Sequence, residues 1–215
     1  MMQCDPVRSP TEPSNRSFRL LSDGDLASRL GEQSLEIAGL IFSAAPELYG
    51  QIPLPYEDVL RFIAGQIGKP RSELANVYLL HSGKDNLAIV ADVPAADLDR
   101  AKQGTALAII RSLDARVRAT FMEALERHGA LIEPLPDKDG WYVSRVASAA
   151  HARGSGIGTD VMIRLLAEKP NVKVTLHVHA ENVPAIRLYS KLGFRFTTNS
   201  DYAFRVMIKE PLLRF

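Results

Sequence analysis

The chain predicts a mixed α/β fold: a largely antiparallel, twisted central sheet of about seven strands with helices on both faces. Three observations predict it. Apolar runs of period two alternate along the chain with runs of helical period, so strands and helices are interleaved rather than segregated. From Trp141 onward the order is strand, helix, strand, helix and a closing hairpin. The loop Arg153-Gly154-Ser155-Gly156-Ile157-Gly158-Thr159-Asp160 leads straight into an apolar, helix-periodic run (Val161, Met162, Leu165, Leu166).

In chain order, residues 1–16 are polar and punctuated by Pro6, Pro10 and Pro13, which reads as a disordered tail; residues 17–215 form a single domain. Phe18 to Leu21 reads as a short strand. Ser22-Asp23-Gly24-Asp25 then offers a helix cap with a carboxylate three residues on, and the helix carries Leu26, Leu30, Ile37, Ile41 and Phe42 on one side. Pro46, Pro53 and Pro55 force an irregular segment, Ala44 to Pro55, before a second helix from about Tyr56 to Ile67. Val77 to His81 and Leu87 to Val93 read as a hairpin around Ser82 to Asn86.

A helical insertion at about 95–129 is expected between the third and fourth strands, since Ile109, Leu113, Val117 and Phe121 recur every fourth residue and Gly129 offers a stop. It either covers one side of the sheet or forms a homodimer surface. Trp141 to Ser148 is then a strand, Gly156 to Ala167 a helix, Lys173 to His179 a strand and Val183 to Leu192 a helix. Phe194 to Thr198 and Tyr202 to Lys209 close the domain as a hairpin around Asn199-Ser200-Asp201. Alternation in Lys173 to His179 sets Val174, Leu176 and Val178 on one face and Thr175, His177 and His179 on the other.

Composition excludes several classes. A net charge of +1 supplies no strong field for nucleic acid or an anionic membrane. No apolar run approaches a membrane span, and no signal-peptide core stands at the N-terminus. The single cysteine, Cys4, excludes an internal disulfide and fits a reducing, cytoplasmic compartment.

The glycine loop carries the chemistry. Glycine admits positive φ and close approach of a ligand, and the helix behind it presents unpartnered amides and a partial positive charge, a ready site for phosphate. No Gly-Lys-Ser/Thr follows, so the loop is not of the nucleoside-triphosphate type, and the dinucleotide fingerprint fits poorly. Alone, such a loop is as often an ordinary helix entry as a ligand site.

Two further motifs accompany it: Tyr142 to Ser148 upstream and Asn182-Val183-Pro184-Ala185-Ile186-Arg187-Leu188-Tyr189-Ser190-Lys191-Leu192-Gly193-Phe194 downstream. Together they resemble the GNAT superfamily of acetyl-CoA-dependent N-acyltransferases. The family's Arg/Gln-x-x-Gly-x-Gly loop is matched by Arg153, Gly156 and Gly158, and its second signature by Asn182, Ala185, Leu188, Tyr189, Lys191, Gly193 and Phe194. Ser148 and Ala150 depart from it, standing where the family usually has an apolar residue and a proline.

The resemblance implies transfer of an acetyl group from acetyl-CoA to a primary amine of a small molecule or peptide, by direct attack in a ternary complex and without a metal. It implies a splayed pair of strands with the pantetheine arm between them, bonded by the backbone of Val146, Ala147 and Ser148. It places the pyrophosphate on Arg153, Gly154, Ser155, Gly156, Ile157, Gly158 and Thr159, with further cofactor contacts at Asn182, Ala185, Tyr189 and Lys191. Tyr189 becomes the acid that protonates the leaving thiolate.

Plainer readings stand beside these: Tyr189 as a packed aromatic, Asn182 as a helix cap, and His177 with His179 as groove-facing rather than a metal pair. His177 is also a candidate base. Glu47, Glu57 and Asp58 are candidates to meet a cationic amine, the plainer reading being solvated helix-end charges, and the resemblance implies that Ala44 to Pro55, with Glu47 and Tyr49, and the Asn199 to Asp201 turn border the acceptor groove. A catalytically silent acyl-CoA sensor is the alternative function. Acylation of a nucleic-acid-linked amine is a third, against which the near-neutral charge argues.

Overall fold

The computed structural model describes residues 16–21 and 32–211. Its strands are β1 (Ser17–Leu21), β2 (Asn76–Ser82), β3 (Asp85–Pro94), β4 (Trp141–Ser148), β5 (Val174–His179), β6 (Arg195–Phe196) and β7 (Phe204–Lys209). They form one sheet in the order β1-β2-β3-β4-β5-β7-β6, antiparallel throughout except between β4 and β5. The helices are α1 (Glu32–Ala44), α2 (Pro46–Tyr49), α3 (Tyr56–Gln66), α4 (Leu98–Ser112), α5 (Ala115–Gly129), α6 (Ile157–Glu168) and α7 (Val183–Lys191). Cys4, the Ser22–Asp25 cap, Leu26 and Leu30 lie outside the described residues.

Every residue of β3 from Asn86 to Val93 is buried. A strand buried at consecutive positions is covered on both faces. α1 and α6 both pack on β3 and β4 and supply that cover. Ile37 and Ile41 from α1 and Ile157, Val161, Met162 and Leu165 from α6 enter one continuous core with Val174, Leu176 and Val178 of β5. α6 is fastened at its far end by Lys169, whose ammonium lies 3.4 Å from Asp92 and 3.4 Å from the centre of the Trp141 ring.

The segment expected as a helical insertion holds two helices. α4 ends where Leu113 turns extended, and α5 restarts behind Asp114, although Ile109, Leu113 and Phe121 all reach the core. Ser112 Oγ donates to the Ile109 carbonyl and Arg118 Nε to the Leu113 carbonyl, so polar groups satisfy the break locally. Periodicity survives the break because both helices bury the same side. Ala44 to Pro55 was expected to be irregular and contains the short helix α2, with Pro46 at its first turn, where a missing N–H costs nothing.

The decisive departure from a plain sheet is at β4. Opposite β3, Ala91 pairs with Arg145 and Asp92 with Val143, so Ser144 is an extra residue in the ladder. Such a bulge bends its strand and increases the local twist. On the other side, β4 and β5 pair only from Trp141 to Val143 and Val174 to Leu176. Beyond that point β4 follows β3 to Ser148 while β5 follows β7 to His179. A wedge-shaped gap opens between them, starting at the bulge.

Candidate functional site

The glycine loop sits at the end of β4. A short 3-10 turn, Ala150–Ala152, leads into it, and Gly154 and Gly156 take φ of 78° and 84°, conformations that favour glycine. Gly156 caps α6 with no side chain to occupy the helix end. Among the described residues the amides of Gly154, Gly156, Ile157 and Gly158 donate to no backbone carbonyl outside the helix, so they form a cluster of free donors at a positive helix terminus. Thr159 departs from the sequence expectation: its amide closes the first turn onto Gly156 at 3.0 Å, leaving only its hydroxyl to meet a ligand. Ile157 is buried in the core and offers backbone alone. Ser155 Oγ is spent on the Ala152 carbonyl, and Arg153 is exposed.

Gly158 is constrained differently. A methyl group there would lie 3.0 Å from Leu188 Cδ1 and 3.4 Å from Ser148 Oγ, so its smallness lets α7 and the end of β4 approach the loop. At the start of α7, Asn182 Oδ1 accepts from the Ala185 amide at 3.2 Å, which is the capping role. Ala185 packs against the core and Lys191 is exposed. Tyr189 is 8% exposed, with its ring against Phe194. Its hydroxyl has no hydrogen-bond partner among the described residues, and burial pushes the phenol well above its ordinary value. Val146, Ala147 and Ser148 pair with β3 on one edge; their other edge faces the gap.

On the cavity side, a chamber of about 640 Å³ reaches the sheet at the mouth of the gap. Ser144 and His177, the first residues of β4 and β5 past their last pair, both line it. Its other walls come from α2 (Glu47, Leu48), α4 (Lys102, Ile109), α5 (Leu125, His128) and Phe204 of β7. Glu47 from the proline-rich segment is thus at the cavity, whereas the Asn199–Asp201 turn does not line it. Glu57 and Asp58 pair with Arg61 on an exposed face.

Two buried networks form the floor. His177 Nε2–H donates to the Glu133 carbonyl at 2.6 Å, which fixes the tautomer, and the Tyr142 hydroxyl donates to Nδ1 at 2.9 Å. Burial pushes this imidazole down to about 4, so it is neutral with both nitrogens engaged, which removes it as a base. Glu133 is held in turn by Thr198 Oγ1 and by the Val206 amide at 2.7 Å; these outweigh its desolvation and lower its carboxyl.

In the second network Arg145 is 7% exposed. It donates to the Ser144 carbonyl at 2.6 Å, stands 3.6 Å from Glu73 and faces the Tyr49 ring at 5.4 Å. Among the described residues its Nε and Nη2 have no hydrogen-bond partner, nor has the Tyr49 hydroxyl, so this group is packed rather than fully satisfied. Tyr49, expected at the acceptor entrance, is buried beneath it, because its ring covers the guanidinium. Desolvation raises the Tyr49 phenol against the opposing pull of Arg145.

Arg145, Glu73, Tyr142, Glu133 and His128 were not singled out from the sequence. Only Tyr142 and Arg145 stood within a recognised motif, and nothing in linear spacing joins the other three.

Residues 112–194 match the family described as acetyltransferase (GNAT) family, a span that includes the glycine loop and the whole Asn182–Phe194 motif. Over that span the chain is similar to GNAT acetyltransferases. Solved structures agree on the fold. An N-acetyltransferase from Staphylococcus aureus Mu50 superposes with a TM-score of 0.60 at 19% identity, covering 83% of this chain and 96% of its own. A histone acetyltransferase HPA2 and related acetyltransferase from Corynebacterium glutamicum ATCC 13032 gives 0.59 at 17% identity, over 93% and 98%. No curated protein matches the chain in sequence. Among the described residues no group of three or more His, Cys, Asp or Glu is arranged to hold a metal ion, and no helix is long and apolar enough to cross a membrane.

Proposed function

We propose that this chain is a GNAT-type acetyltransferase, transferring an acetyl group from acetyl-CoA to the primary amine of an acceptor held in the 640 Å³ cavity, by direct attack in a ternary complex. One observation carries the reading: the gap between β4 and β5 has the free amides of the glycine loop at its Ser148 end and the cavity at its Ser144 end. A cofactor anchored by its pyrophosphate at the first would extend its acyl group toward the second. The chamber's partly apolar walls, Ile109, Leu125 and Phe204, suit a small-molecule amine better than a long peptide.

In this reading the unpaired edge of β4 along Val146, Ala147 and Ser148 bonds the pantetheine arm. One N–H there polarises the thioester carbonyl and stabilises the oxyanion as the amine attacks. Arg153 and the amides of Gly154, Gly156, Ile157 and Gly158 hold the pyrophosphate, while Asn182 and Ala185 shape the start of α7 beside it. Tyr189 protonates the departing thiolate. Its burial keeps the phenol protonated, and the same apolar surroundings raise the thiol, so the proton transfer stays close to balanced.

The test is thiol release with Tyr189→Phe. Since the hydroxyl has no hydrogen-bond partner among the described residues, melting temperature and acetyl-CoA affinity are expected to hold while kcat falls by roughly 10²–10⁴. An unchanged kcat with chemistry rate-limiting removes Tyr189 from the mechanism. A wild-type protein that binds acetyl-CoA and never releases thiol with any amine is an acyl-CoA sensor instead.

A further inference from the structure

We propose that His128 is the general base of the reaction, taking a proton from the acceptor's ammonium group inside the cavity. This rests on the acetyl-transfer reading and supplies the residue that reading lacks. His128 lines the cavity from the last turn of α5, with its ring edge-on to Phe204 at 5.3 Å. Neither ring nitrogen has a hydrogen-bond partner among the described residues. The contrast with His177 is direct, for that ring lines the same cavity with both nitrogens committed, at 2.6 and 2.9 Å. A base needs a free lone pair, and of these two cavity-lining histidines only His128 has a ring nitrogen without a hydrogen-bond partner among the described residues.

The surroundings suit the task. Glu47 on α2, Glu73 ahead of β2, Lys102 on α4 and Arg145 on β4 are the charged groups that bear on the ring, and β7 contributes the apolar Phe204. Burial, aided by Arg145 and Lys102 and opposed by the two glutamates, lowers the imidazole below its ordinary value, so it is neutral at pH 7. Once protonated, it sits at a helix C-terminus, where a cation is favoured. Glu73 is less free, since Arg145 stands against it.

The steps balance. The ammonium N–H breaks and its proton goes to His128. The amine lone pair forms the C–N bond at the thioester carbon. As the C–S bond breaks, the thiolate takes a proton from Tyr189, and the nitrogen's second proton leaves to solvent, which reprotonates the phenol. His128 then gives its proton to water, for a net release of one proton.

The experiment measures thiol release from acetyl-CoA with n-butylamine, spermidine and tyramine as acceptor probes, from about pH 5 to 9. In His128→Gln, kcat/KM for the amine is expected to fall by roughly 10²–10⁴, and the acidic limb of the wild-type profile to flatten, with acetyl-CoA affinity within about twofold. Imidazole should partly restore His128→Ala. Independently of any acceptor, diethyl pyrocarbonate should modify His128 of the wild-type protein faster than His177. A His128→Gln rate within about threefold of wild type, an unchanged acidic limb, or equal protection of the two histidines overturns the proposal. A wild-type protein inactive with all three probes overturns the acetyl-transfer reading itself, and this proposal with it.

Discussion

The two ends of the β4–β5 gap are built from different materials. At the glycine loop the candidate binding groups are backbone amides, set by the φ of Gly154 and Gly156 and by the first turn of α6. At the cavity they are side chains from α2, α4, α5, β4, β5 and β7, several buried and held by one another. A backbone site is local, tolerant of its neighbours and written in a few consecutive residues. A side-chain site is a tertiary assembly, in which removing one member leaves another buried and unpartnered. Substitutions at the cavity end should therefore cost folding stability, and those at the loop end should cost ligand affinity.

The largest expected effect tests the cavity end. Arg145→Ala leaves Glu73 buried beside an unfilled space and strips the Tyr49 ring of its guanidinium, so unfolding free energy should drop by about 3–5 kcal/mol in denaturant titration. A loss below about 1 kcal/mol would mean that this network is solvated and the comparison fails.

Next comes a pH effect from His177. Its folded value of about 4 lies below the ordinary 6.5, so between those values the unfolded chain binds the extra proton. Stability from this group is complete above 6.5 and declines as pH falls toward 4, by an amount on the order of 3 kcal/mol. His177→Asn should flatten that part of the melting-temperature profile. A profile as steep as wild type would assign the acid lability elsewhere.

The loop end is sharpened by two glycines. A Cβ at Gly156 meets no atom within 4 Å, yet Gly156→Val must hold a φ of 84°, so it should cost about 1–2 kcal/mol and weaken acetyl-CoA binding roughly tenfold or more by calorimetry. Gly158→Val instead presses on Leu188 and Ser148, costing about 1–3 kcal/mol through displaced packing of α7. Identical behaviour of the two variants would erase the distinction between a ligand-facing glycine and a packing glycine. The smallest effect is Asn182→Ala, about 1 kcal/mol, from the lost cap on the Ala185 amide. A much larger loss of acetyl-CoA affinity than of stability would show Asn182 to be a cofactor contact as well.

By itself the sequence determined the elements and the loop. Apolar runs and periods locate β2, β4, β5, α6 and α7 within a residue or two, because the buried positions of each element are mostly apolar residues close together in sequence. Glycine spacing before α6 marks the amide cluster, because a positive φ leaves its trace in residue identity.

Tertiary structure alone decided the rest. The Ser144 bulge that opens the gap has no residue-type signature, since it arises from pairing β4 with β3 in a shifted register. The break at Leu113–Asp114 hid behind a periodicity that runs through it. The opposite fates of His128 and His177 were illegible for the same reason. Whether a ring nitrogen is free depends on a carbonyl at Glu133 and a hydroxyl at Tyr142, and only folding brings those groups to His177 while no described residue bonds His128.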